Sequence, residues 1–268
     1  MRRLFTFGCS FTNWIWPTWA DIYATQFDFF ENWGHPNAGN LYIFNSIIEA
    51  NARHRFTPSD TIVIMWSGML RVDRYDRGWK WGEQSSSIRG SEIINYGYMN
   101  AINQWFYSAQ LNYTFLSMYQ YSKDSDVYKL YKDTIDKIKP IVYVPWSRTI
   151  DIPVNDINTY RGYHQYIADQ YAAMSGSSWP SFEEYIRQFP RLNIDKQMKM
   201  ITQEIKDLQQ VYVNDAHPTP ADYLINLQQW FNFSPTVEVA EWVKLQTELI
   251  TKPKFVTYVS NSPKDKLI

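Results

Sequence analysis

"LFTFGCSFT", residues 4–12, sets a strand against a turn within nine positions. Residues 2–8 read as a short β-strand, and Gly8 lets the backbone turn sharply behind it. Ser10 then stands just past the strand's carboxyl end. A second run, "SDTIVIMWS" at 59–67, is apolar and β-branched throughout. Such runs fit strands buried on both faces, as in a parallel sheet. "LNYTFLSMYQY", 111–121, reads as a further strand.

Helical patterns alternate with these strands. One starts near Pro17, a favoured first-turn residue, and runs through "TWADIYATQF". "LYIFNSIIEANARH", 41–54, carries apolar residues at helical spacing, and 93–110 reads as helix too. "SDVYKLYKDTIDKIK", 125–139, is amphipathic, with Ser125 or Asp126 as its cap. Residues 214–223 read as a loop that leads into a helix at Pro220, and a last helix covers 235–250. Residues 31–40 and 72–83 read as loops, the second solvated, and "VYVPWS" as a short extended piece. Residues 151–209 read as a mostly helical insertion or lid, with the small-residue stretch 174–182 at its boundary. The alternation predicts an α/β fold with a largely parallel sheet, formed by one domain over 1–268. Ligand sites of such sheets lie at the carboxyl ends of the strands.

Composition removes several function classes. The net charge is −1, which gives no basic field to hold a nucleic-acid backbone. No apolar run approaches the ~18 to 20 residues that span a bilayer. Cys9 is the single cysteine, so no intramolecular disulfide is possible. The start, "MRRLFTFGCS", lacks the long apolar run of a secretory leader. Aromatic residues make up 18% of the chain, with 12 Trp and 20 Tyr. Core filling accounts for most of them, while stacking platforms for sugars are the sharper reading.

Asp215 and His217, two positions apart and followed by Pro218, are the second chemical signal. A serine hydroxyl is a poor nucleophile until a base removes its proton. A carboxylate then fixes the imidazole tautomer and stabilises the imidazolium. Each residue alone has a plain structural explanation, as a turn serine or as a capped loop. Their conjunction, with both ends falling where an α/β site should lie, is what points to chemistry. Cys9 fits a small buried residue better than a rival nucleophile. His35, His54 and His164 show no zinc spacing, and no metal or cofactor motif is present. Trp79 and Trp81, with Arg71 and Arg74, could rim a sugar pocket.

Gly8-Cys9-Ser10-Phe11-Thr12 resembles the first block of the GDSL, or SGNH, hydrolases, Gly-Asp-Ser-Leu-Thr. Asp215-Ala216-His217-Pro218 resembles their last block. "NWGHPNAGN", 32–40, is similar to the second block, whose loop glycine helps to form the oxyanion hole. Residues 75–210 match poorly. Within the family the chain looks most like GDSL-type proteins that bacteriophages encode. The resemblance implies a three-layer αβα, flavodoxin-like SGNH fold. It implies Ser10 as nucleophile, His217 as base and then acid, and Asp215 as orienting carboxylate. The N–H groups of Ser10 and Gly39 would hold the oxyanion, with Asn40 and Trp66 facing the substrate. The family's third block is Gly-x-Asn-Asp, but "MWSGMLRVDRY", 65–75, has no Asn. Ser67 or Arg71 would have to replace that donor, whose loss typically costs ~10²- to 10³-fold in turnover. The expectation is therefore an ester hydrolase without cofactor, acting on a small ester or on O-acetyl groups of bacterial surface polysaccharide. It would be located in the host cytoplasm or on the virion. The alternatives are a structural or receptor-binding virion protein on the same scaffold, partnered by other virion proteins, and an intracellular lipase or thioesterase.

Overall fold

The computed structural model describes residues 1–69, 71–75, 79–84, 88–118, 121, 126–141, 150–154, 211–215, 217–250 and 258–263. Five parallel strands form the central sheet: β1 (Arg3–Phe7), β2 (Phe29–Asn32), β3 (Thr61–Trp66), β6 (Asn112–Ser117) and β7 (Lys139–Pro140). Their order is β2-β1-β3-β6-β7. The chain steps from β1 to one side for β2 and returns to the other side for β3. The order therefore reverses at β1, and the carboxyl ends of β1 and β3 are where such a sheet places its ligand site. Two two-stranded antiparallel sheets stand apart from this sheet: β4 (Arg71–Tyr75) with β5 (Trp79–Gln84), and β8 (Ile150–Val154) with β9 (Val211–Asp215).

Residues of both pleat faces are buried. Phe5, Phe7, Ile62, Ile64 and Phe115 share one face by register, and Leu4, Thr6, Val63, Met65 and Leu116 share the other. The first face packs on the α2 (Asn40–His54) and α3 (Ile88–Ser108) side, where Phe56 lies 5.0 Å from Phe5 and 6.3 Å from Phe106. Burial on both sides is why β3 reads as a continuous apolar run rather than an alternating one. A second helical group joins α1 (Trp19–Ala24) to α5 (Pro220–Phe231) through the edge-on pair Trp19 and Trp230, 6.3 Å apart. Helices α4 (Asp126–Ile135) and α6 (Val237–Ile250) complete the described set. None of the described helices is long and apolar enough to cross a membrane.

Local signals explain the boundaries. Thr18 caps α1 in a reciprocal box with Asp21, so the helix begins at Trp19, with Pro17 outside it. Thr219, Pro220 and Asp222 start α5 in the same way, with proline at the first helical position. Three expectations are corrected. Residues 72–75 and 79–83 lie in the paired strands β4 and β5, not in a solvated loop, and Asp73 is buried. Asp151–Val154 are strand, not the start of a helical insertion. Asn214 and Asp215 end a strand rather than lying in a loop. The remainder of 151–209, with His164 and the stretch 174–182, lies outside the described residues, as do 142–147.

The segment 258–263 reads as a polar tail but is tied into the fold. Tyr258 N–H donates to Ile15 O at 2.8 Å, and Asn32 N–H donates to Asn261 O at 2.8 Å. Asn13 Nδ2 donates to Ser262 Oγ at 3.1 Å, and Asn32 Nδ2 to Ser260 Oγ at 2.8 Å. Ser260 in turn donates to the Asp21 carboxylate. This strap closes over the turn that follows β1.

Candidate active site

Gly8 directly follows β1, and the next residues fold into a tight turn in which Thr12 N–H and Asn13 N–H both donate to Cys9 O, at 2.9 and 3.1 Å. A Cβ on Gly8 would lie 2.0 Å from Thr12 Oγ1 and 3.0 Å from Met65 O, so close packing requires glycine here. Ser10 sits in this turn at the carboxyl edge of β1 and is buried. Neither its N–H nor its hydroxyl bonds to a described residue. Cys9 is buried beneath it, with Sγ 3.0 Å from Met118 Sδ at the end of β6.

His217 follows β9 and meets the same turn. Its ring stacks on Trp14 at 3.8 Å with 22° between planes, and it lies 5.4 Å from the ring of Phe11, Ser10's neighbour. Trp16 stands edge-on to it at 6.4 Å, and Trp16 Nε1 donates to Pro218 O at 2.9 Å. Three aromatic residues of the β1 turn thus surround the imidazole. No hydrogen bond joins Ser10 to His217. Such bonds are often long in ligand-free sites and tighten on substrate binding. Asp215 ends β9 opposite Ile150, and its side chain lies outside the described residues.

The other expected site residues gather at the end of β3, but in different roles. Gly39 precedes α2, and its N–H donates to Asp73 Oδ1 at 2.8 Å. Tyr42 N–H takes the other oxygen, Asp73 Oδ2, at 2.8 Å. Asp73, from β4, thus supplies the charged cap that α2 lacks in its own sequence, where a carboxylate also meets the positive end of the helix dipole. Asn40 is buried and bonds to the backbone of Ser67. Its Oδ1 accepts from Ser67 N–H at 2.8 Å, and its Nδ2 donates to Ser67 O at 3.3 Å. Tyr121 O–H also donates to Ser67 O, at 3.2 Å. Ser67 Oγ accepts from Arg71 Nη1 at 3.3 Å and lies 3.7 Å from Met118 Sδ. Trp66 is fully buried in β3, edge-on to Phe115 at 5.6 Å, and packs in the core cluster.

Sequence reasoning missed Asp73, Trp14 and the 258–263 strap. The one local signal for Asp73 was its place in an alternating stretch that fits a hairpin as well as a loop. Of the expected sugar-rim residues, Arg71 reaches Ser67, and the side chains of Arg74, Trp79 and Trp81 lie outside the described set. His35 Nδ1 contacts Pro36 O and its backbone N–H donates to Gly8 O at 3.0 Å, while His54 pairs with Glu31 at 2.9 Å. Among the described residues no group of three or more His, Cys, Asp or Glu is placed to hold a metal ion. No family model matches the chain, nor does any curated protein or solved structure.

Proposed function

We propose that the chain is a serine ester hydrolase of the SGNH type, with a flavodoxin-like αβα architecture, Ser10 as nucleophile and His217 as general base. One observation carries this reading: His217, from the far end of the sequence, lies on the turn that holds Ser10 at the edge of β1. In the reaction Ser10 Oγ adds to the ester carbonyl carbon while His217 takes its proton. The tetrahedral oxyanion collapses, the alcohol leaves with the proton from His217, and water repeats the cycle on the acyl-enzyme. Asp215 would orient the imidazole from the end of β9. The unspent Ser10 N–H is one oxyanion donor. Arg71 keeps further guanidinium donors beyond the one given to Ser67, so it can stand in for the missing amide.

The substrate class we favour is a small ester, with O-acetyl groups on a bacterial polysaccharide as the natural form. Ser10→Ala should abolish release of p-nitrophenol from its acetate ester. Equal rates in wild type and variant would end the reading. The closed hydrogen bonds of Gly39, Asn40 and Ser67 favour a second reading, a virion structural or receptor-binding protein on the same scaffold. Labelling of Ser10 by a fluorophosphonate would count against it. Stoichiometric presence in purified particles without labelling would support it.

A further inference from the structure

We propose that Trp14 is a positioning residue for His217, holding the imidazole over the Ser10 turn by face-to-face stacking and stabilising it once it carries a proton. The proposal rests on the hydrolase reading above. Its ground is the stack itself, 3.8 Å between centroids with 22° between planes. Trp16 and Phe11 meet the same ring edge-on or tilted, whereas Trp14 presents its face. Trp14 shares one cost with the core residues Trp19 and Trp66. Its Nε1–H is buried without a hydrogen-bond partner, a state that costs stability. Phenylalanine would fill part of this space with no orphaned donor. What the indole supplies in return is the largest π face, which attracts a cation more strongly than Phe or Tyr does.

The timing of charge gives this face a catalytic effect. His217 is neutral when it accepts the serine proton and cationic while the tetrahedral intermediate exists. A cation–π contact that forms only in the second state lowers the barrier rather than tightening substrate binding. Loss of the ring should therefore reduce kcat and leave KM nearly unchanged, by roughly 3- to 30-fold for a contact of this class.

The test uses the full chain with p-nitrophenyl acetate, comparing wild type, Trp14→Phe and Trp14→Met. Circular dichroism checks that each variant folds, and proton NMR reads the ring-current shift of the His217 ring protons. The expected order of kcat is wild type, then Phe, then Met, with KM held and the upfield shift of His217 lost in Trp14→Met. If Trp14→Met does not fold, Trp14→Phe alone decides, through a kcat between wild type and a third of it at unchanged KM. A folded Trp14→Met with wild-type kcat, or with a loss in KM alone, overturns the proposal and leaves the hydrolase reading standing. An inactive wild type that no fluorophosphonate labels overturns both.

Discussion

The ends of β1 and β3 lie side by side at one edge of the sheet and treat their polar groups in opposite ways. After β1, Ser10 keeps both its N–H and its hydroxyl clear of described partners, and the surrounding residues do the holding. Thr12, Asn13, Asn32 and the 258–263 strap bind one another and the turn backbone. After β3, the groups that could serve chemistry bind each other: Gly39 to Asp73, Asn40 to Ser67, and Ser67 to Arg71. A residue type at a matching position is therefore not a donor for a substrate. What counts is whether its hydrogen-bonding capacity is already spent.

Three changes would test this contrast, beyond those at Ser10 and Trp14. The largest effect is expected at Asp21, beneath the β1 turn. Burial raises its pKa from 3.8 to about 6, against the opposing hydrogen bonds from Ser260 and Thr18. A carboxyl raised on folding contributes stability that is complete below about pH 3.8 and is lost as pH rises through about 6. A shift of roughly two units corresponds to about 3 kcal/mol. Asp21→Asn should therefore gain on wild type by that amount between pH 4 and pH 7 in urea unfolding. A constant difference across this range would show that Asp21 does not carry the titration.

The next effect is expected at Asp73. Asp73→Ala removes two charge-assisted hydrogen bonds to the first turn of α2 and should cost about 2 kcal/mol. It also frees Gly39 N–H. If that N–H is only structural, hydrolysis of p-nitrophenyl acetate by the folded variant stays at the wild-type rate. A several-fold rise would instead reveal a donor that Asp73 had been withholding. The smallest effect is expected for Asn40→Ala, at about 1 kcal/mol, because Tyr121 still serves Ser67 O and only Ser67 N–H loses its partner. A loss of activity at unchanged stability would move Asn40 from scaffold to site.

Much of this molecule is legible in its sequence where signals are local. The span of α2 and the starts of β3 and α5 follow from apolar periodicity and from the Thr219, Pro220, Asp222 cap. The places of Ser10 and His217 are legible for the same reason, since one follows a strand and the other precedes a proline. The spent state of Gly39 and Asn40 is not legible. Their partners, Asp73 and Ser67, lie 34 and 27 positions away, and nothing in the local pattern announces the pairing. The β4–β5 hairpin was hidden by alternating charges and aromatics, which suit a solvated loop equally well. The strap escaped because its hold rests on tertiary hydrogen bonds from Asn, Ser and backbone groups, which leave no periodic trace.

The strap also sets an order of events during synthesis. Asn13 and Ser262, which bond across the turn, are 249 positions apart. A ribosome therefore delivers β1 and α1 long before the segment that braces them, and so distant a contact closes late in folding. A nascent chain would carry Ser10 on an unbraced loop, and His217 would reach it only shortly before the strap docks. The pair that we propose for chemistry is thus assembled only once these distant segments have been made, and a chain cut short before residue 258 would lack the brace on Ser10.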